Sequence, residues 1–325
     1  DPMAEFEGED ELPELEETEG AATKTAEPEE DTTLANSKVT TKYQEAAKIA
    51  NAALAAAVAA CKPGTLVLEV CATGDQTAEN LCAAIFRTKV NGKFVEKGMA
   101  FPCCASVNEC VCHFSPLPSE QPQATLKDGD LVKIDLGVHI DGYIAVVART
   151  VLVGPAPSPE KPITGDLAAC YKAAYTAAVV ASRLIRPGNN NTQVTEAMKS
   201  IAKSYGVQAI TGTLMHEMKR FVIDGTKMIV LREDPEQQKV DFCEFAVNEV
   251  YAIDVAMTTG LGTPKEDVAR PTVYKRVTDS TYQLKMKASR VLFNEVNKRF
   301  PTMPFTLRAF QDERNTKMGL RECAL

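Results

Sequence analysis

Two helical runs, each cut by the same stop, constrain this chain of 325 residues more than any other feature. In the first, Tyr43, Ala46, Ala47, Ile49, Ala50, Ala53, Leu54, Ala57, Val58 and Cys61 recur at helical spacing over residues 38–62, and Lys62-Pro63-Gly64 ends the run. In the second, Tyr171, Ala173, Ala174, Ala177, Ala178, Ala181 and Leu184 do the same, and Arg186-Pro187-Gly188 ends it. The stops lie 124 residues apart, and Val70 and Val194 each stand seven residues beyond their proline. A second helix is expected after each stop, over about 76–87, led in by Leu66, Leu68 and Val70, and over about 191–204. The period is too long for a solenoid. Duplication of a half-domain accounts for it, each half two helices followed by antiparallel strands, so the predicted class is α+β with a sheet shared between the halves.

Residues 133–150 read as a hairpin. Apolar residues alternate on both sides of Asp141-Gly142, a strong short-range turn pair. Centring the pairing between Ile140 and Asp141 sets Asp135 opposite Val146, at roughly 4.5–5.5 Å between Cβ atoms. Two carboxylates so placed could clasp two divalent ions held about 3.5–4 Å apart. Here one of them is a valine, which supplies no bridging oxygen.

The run Gly129-Asp130-Leu131-Val132-Lys133-Ile134-Asp135-Leu136-Gly137-Val138-His139 carries a resemblance. It looks like the metal hairpin of the methionine aminopeptidases of the pita-bread fold, and within that superfamily is most similar to the eukaryotic proliferation-associated, or ErbB3-binding, proteins, which are non-peptidase relatives. The resemblance spans roughly residues 40–325. It implies a pita-bread fold of two pseudo-two-fold related α-β halves around a curved antiparallel sheet, over 37–325, with a type-2 helical insertion at about 264–320. It also implies site positions. His113 matches the substrate-pocket histidine, His216 a metal-ligand histidine, and Asp224 falls where a peptidase has its second histidine. Asp254, one methylene short, stands in place of a ligand Glu, and the family's last ligand Glu comes from closing strands C-terminal to anything in the chain. With Val146, Asp224 and Asp254 departing from the pattern, no catalytic residue, metal or other cofactor is expected, and Asp135 and His216 are expected to pair with each other. A lone histidine such as His113 is more often a hydrogen-bonded core residue than a catalyst.

Charge divides the chain. Residues 1–31 hold 14 acidic groups and one Lys, leaving the remainder at +5. So acidic and apolar-poor an arm cannot offset its ordering entropy, and residues 1–36 are expected to be disordered, a solubilising tail or a mimic that competes with nucleic acid for the basic body. No apolar run approaches a membrane span and no leader pattern opens the chain, so a soluble protein without membrane partners is expected. Ten cysteines without regular spacing suggest reduced thiols in the cytosol or nucleus. Cys103-Cys104 and Cys110-Val111-Cys112 do not form two C-x₂-C pairs, which argues against structural zinc.

Function is then sought on the outer surface. Over 283–300, Leu284, Ala288, Val291, Leu292, Val296 and Phe300 form an inward stripe, while Lys287, Arg290, Asn294 and Lys298 recur on another face. With Lys275, Arg276, Lys285 and Arg299 they make a basic patch that could follow phosphates. The proliferation-associated resemblance implies binding of structured or ribosomal RNA and the large ribosomal subunit, in cytoplasm and nucleolus, by a probable monomer of this class. Without Trp and with few interleaved aromatics, duplex shape is a better target than stacked single strands. The competing readings are a protein-binding adaptor that uses the vacant pocket and, last, an active metal-dependent aminopeptidase.

Overall fold

The computed structural model describes residues 31–90, 92–234, 239–266 and 271–323. The acidic arm falls almost wholly outside them. Helix α1 (Ser37–Ala60) starts where the Asn36 side chain accepts from the Lys38 N–H (3.0 Å), and it buries Ala46, Ile49, Ala50, Ala53, Leu54 and Ala57. Helix α2 (Val67–Ala84) begins nine residues ahead of expectation. Val67, Val70, Cys71, Gly74, Ala78 and Cys82 form one buried helical stripe, so the apolar residues after the stop belong to the helix itself. Gly74 is needed for that packing: a Cβ there would sit 2.5 Å from Cys103 Sγ.

A small hairpin, β1 (Lys89–Val90) with β2 (Lys93–Phe94), precedes the main meander of β3 (Lys97–Val107), β4 (Leu131–Ile140) and β5 (Tyr143–Leu152), ordered β3-β4-β5. The hairpin register corrects the sequence reading. Ile140 pairs with Tyr143, so Asp135 lies opposite Ala148, and Val146 opposite Gly137. The turn consists of Asp141 (φ 56°) and Gly142 (φ 78°) alone, both left-handed, as a tight hairpin whose twist matches its strands requires. Because the shift is two residues, Val146 stays on the face of Asp135, now as a diagonal neighbour.

The turn is bolted to its surroundings. Asp141 accepts from Lys42 Nζ (2.5 Å) and Arg220 Nη2 (2.7 Å), and Phe221 N–H donates to Gly142 C=O (2.8 Å). A Cβ on Gly142 would lie 2.5 Å from the Phe221 ring. Gly142→Ala is therefore expected to cost about 1–3 kcal/mol from backbone strain and overpacking, read as a lower urea midpoint with unchanged slope.

The second half repeats the first in detail. Helices α3 (Gly165–Leu184) and α4 (Asn191–Tyr205) flank the second stop, and α4 opens on a capping box between Asn190 and Gln193. Cys61 and Ile185 leave their helices at nearly the same angles (φ −73°, ψ 81° and φ −73°, ψ 86°), and Gly64 and Gly188 share φ 89°. Beyond each stop the chain bridges a later segment, Leu66 with Thr125 and Asn190 with Glu244. The matching turns agree as well: Lys127 N–H donates to Asp130 Oδ2 (2.7 Å) across Gly129 (φ 87°), and Ala246 N–H to Glu249 Oε2 (2.9 Å) across Asn248 (φ 68°). That alignment makes Asp254 the counterpart of Asp135, since these two, like the matched turn residues, stand 119 positions apart.

Strands β6 (Gln208–Ala209), β7 (Leu214–Met218), β8 (Met228–Val230), β9 (Val250–Ala252) and β10 (Met257–Thr258) form a sheet ordered β8-β7-β9 and a separate β10-β6 pair. Each half has its own core beneath its helices. A third cluster, with Ile144 of β5, Met218 of β7 and Ala252 of β9, joins the two sheets. The C-terminal region adds β11 (Val273–Tyr274), α5 (Lys287–Arg299), β12 (Phe305–Thr306), a 3₁₀ turn over Leu307–Ala309 and α6 (Glu313–Cys323). Helix α5 buries Leu292 and Val296 of the expected inward stripe together with Ser289, and Leu284, Ala288 and Phe300 are half-buried, whereas Val291 is 56% exposed. Helix α6 packs closely on α5 at Gly319, where a Cβ would lie 2.7 Å from Ala288 C=O. Among the described residues no helix is long and apolar enough to cross a membrane.

Candidate functional site

A bulge in β3 shapes the site. The register between β3 and β4 shifts between Phe101 and Cys104, so that Cys104 stands directly opposite Asp135. The loop after β3 folds back along the strand, with Ala105 N–H donating to Phe114 C=O (2.8 Å) and Phe114 N–H to Ser106 Oγ (3.2 Å). His113, left-handed at φ 59°, is thereby turned over the strand, its ring 4.8 Å from that of Phe101. Its Nδ1 lies 3.1 Å from Asp135 Oδ2.

Electrostatics bind these groups into one cleft. Burial would push His113 down, but its hydrogen bonds to Asp135, Cys104 and Cys112, with the Asp135 charge, outweigh that and hold the ring protonated. Burial pushes the Cys104 thiol far up. Just past β9, Asp254 is raised by burial first and then by the Asp135 charge, while His113 and His216 oppose the rise. Water still reaches the Asp254 and His113 side chains although protein surrounds their ionisable groups. His113, Asp135, His216 and Asp254, the positions singled out through the family resemblance, therefore lie close enough to feel one another's charge.

Other positions do not behave as expected. Asp135 pairs with His113 rather than His216, whose buried Nδ1 finds no hydrogen-bond partner among the described residues. Asp224 turns away and forms an ion pair with Lys275. Val146 packs with Phe101, Phe221 and Val250 as an apolar wall.

The basic patch is also thinner than its sequence. Lys275 is neutralised by Asp224. Arg276 lies over the Phe293 ring at 5.5 Å, and Arg299 lies over Phe300 and Phe310 while donating to Glu295 (2.9 Å) and Ala309 C=O (2.8 Å). Lys285, Lys287, Arg290 and Lys298 remain exposed, the last three along one face of α5.

With this geometry in hand, the chain can be compared with known proteins. Residues 41–241 match metallopeptidase family M24. Proliferation-associated protein A of Dictyostelium discoideum is 46% identical over 89% of this chain and 73% of its own length. ErbB3-binding protein 1 of Solanum tuberosum is 44% identical over 91% and 74%. The chain belongs to metallopeptidase family M24, with the proliferation-associated proteins among its close relatives. A solved structure of a thermophilic Arx1 superposes with a TM-score of 0.81 at 29% identity, covering 89% of this chain and 81% of that one. The fold is accordingly the pita-bread fold of the family.

The pair of metal ions that membership of this family implies does not fit the residues present. Val146 offers no oxygen, and Asp224 is paired with Lys275, so two of the positions that would share the ions supply no free ligand. A bridging hydroxide needs two ions with shared ligands, and this arrangement does not supply them.

Sequence reading missed two groups that matter here. Cys104 is brought opposite Asp135 by the bulge, which the cysteine spacing did not announce. Arg308, buried against Asp75, carried no local sign at all.

Proposed function

We propose that this M24 protein is catalytically inactive and works as an RNA- and ribosome-associated binding protein in ribosome biogenesis, translation and growth regulation, acting in cytoplasm and nucleolus. The observation that carries the reading is the exposed stripe of Lys287, Arg290 and Lys298 on α5. It stands on a chain whose peptidase centre has lost its metal-sharing oxygen, and the proliferation-associated resemblance points the same way. Cations at one- and two-turn spacing follow a phosphate backbone and read duplex shape rather than bases.

Fluorescence anisotropy with a structured RNA, taken across a salt series, tests it. Reversing all three charges to Glu is expected to flatten the slope of log K against log [salt] by about three, one per lost phosphate contact. A salt-independent affinity, or an unchanged slope in the triple variant, would overturn the RNA reading. Release of Met from a short peptide under cobalt or manganese would overturn inactivity.

A second reading, a protein-binding adaptor, rests on the water-accessible Asp254 side chain and on His216 Nδ1, which has no hydrogen-bond partner among the described residues. A partner seated there keeps its affinity in the triple α5 variant, which separates the two.

A further inference from the structure

Cys104, His113 and Asp135 bring a sulfur, an imidazole nitrogen and a carboxylate oxygen within 4.8 Å of one another. We propose that these three residues bind a single divalent ion of the zinc type. Each is delivered by a different element of the chain. The bulge in β3 aims Cys104 across the ladder at Asp135 on β4, and the left-handed backbone at His113 drops its ring onto the pair. Nothing in the linear spacing of the cysteines announces this, since two of the three ligands are not cysteines.

The size of the triangle suits one ion. Zinc bond lengths of about 2.3 Å to sulfur and about 2.0–2.2 Å to nitrogen and oxygen place tetrahedral ligand atoms roughly 3.3–3.8 Å apart. His113 Nδ1 and Asp135 Oδ2 already stand at 3.1 Å. Closing the triangle takes small rotations of the side chains, and the ion displaces the Cys104 thiol proton and the proton held between His113 and Asp135, both of which go to solvent. A thiolate, an imidazole and one carboxylate favour zinc over the harder magnesium or manganese. Three protein ligands leave the fourth position open toward the cleft, where the exposed Cys112 hydrogen-bonds the same histidine ring.

This site is not the peptidase centre. It takes one ion instead of two, and although it shares Asp135 with the metal hairpin of the family resemblance, its histidine is the one that resemblance places in the substrate pocket rather than among the ligands. It also stands independently of RNA binding, since it uses no residue of α5.

The test loads the full chain with Co²⁺ in place of Zn²⁺. One ion per chain is expected, with the near-ultraviolet charge-transfer band of a cobalt–thiolate bond. Cys104→Ser should abolish the band and weaken Zn²⁺ binding by more than the about 10–100-fold lost when only an outer-sphere partner is removed. Because Cys104 is buried, His113→Gln on the exposed loop serves as the second variant, and it should weaken binding as strongly while circular dichroism stays unchanged. Two ions per chain, no thiolate band, or a band that survives Cys104→Ser would overturn the proposal.

Discussion

Replacing Arg308 by Ala is expected to lower the stability of the chain by about 3–5 kcal/mol, the range seen when one partner of a buried ion pair is removed. Arg308 Nη2 donates to Asp75 Oδ2 (2.5 Å) and to Cys103 C=O (3.1 Å), and Nη1 to Ser115 Oγ (2.7 Å) and Pro116 C=O (3.3 Å). One guanidinium thus ties α2, β3 and the 115–116 loop to the 3₁₀ turn after β12. Its planar fork fits that set of acceptors, which a lysine cannot reach at once. Burial would pull Arg308 down, but the Asp75 charge beside it prevails and keeps it protonated. Without Arg308, Asp75 would stay buried with only the Cys103 N–H (2.7 Å) to support it. Urea unfolding of Arg308→Ala, Arg308→Lys and the double variant Asp75→Leu/Arg308→Met checks the account. The lysine variant should recover only part of the loss, and the double variant more of it, since apolar replacement of both partners removes the uncompensated charge. A loss below about 1 kcal/mol for Arg308→Ala would place the interaction in the class of exposed pairs and refute the clamp.

Much of the architecture was legible because it was written twice. The prolines at 63 and 187 and the valines seven residues beyond them are local signals, and the structure gives both stops the same backbone angles. The hairpin was legible from Asp141-Gly142, but its register was not fixed by the turn pair alone. A symmetric pairing can be centred in or beside that pair, and only the observed left-handed angles at both residues select the two-residue loop. The shift is even, which is why the face assigned to Asp135 and Val146 survived the error.

What escaped the sequence was whatever depended on a distant neighbour. Arg276 and Arg299 look like free cations until Phe293, Phe300 and Phe310 are placed beneath them. Lys275 is paired with Asp224, 51 positions away. The same dependence runs the other way at Cys104, where a bulge three residues upstream decides which residue of β4 it faces. The basic stripe on α5 survives because its neighbours lie on the same helix, where periodicity is a reliable guide.

The second large effect expected is a loss of stability as pH falls, centred on His139. This residue lies on β4, is 4% exposed, and accepts the Gly142 N–H at Nδ1 (3.2 Å). An acceptor nitrogen must be unprotonated, so the tautomer with its proton on Nε2 is part of the turn. Burial pushes His139 down to about 4, with the Asp141 charge opposing part of the fall. The folded value is therefore depressed below the unfolded value of about 6.5. Above pH 6.5 neither state holds the proton and the stability is fully present. Between about 6.5 and 4 only the unfolded chain takes it up, which removes about 3 kcal/mol in total. His113 adds nothing to the slope in this window, because its value is raised and its contribution is complete below the unfolded value. Asp141 extends the loss at lower pH: burial opposes ionisation, but Lys42 and Arg220 hold its carboxyl down, so that stability fades only as pH drops through the folded value. His139→Gln supplies an acceptor that does not titrate. Urea unfolding from about pH 7 to about pH 4.5 should show stability falling more steeply in the parent chain than in the variant, by about 2–3 kcal/mol across the interval. Parallel curves for the two would mean that His139 takes up its proton equally well in the folded chain, and that the turn does not depend on its neutral form.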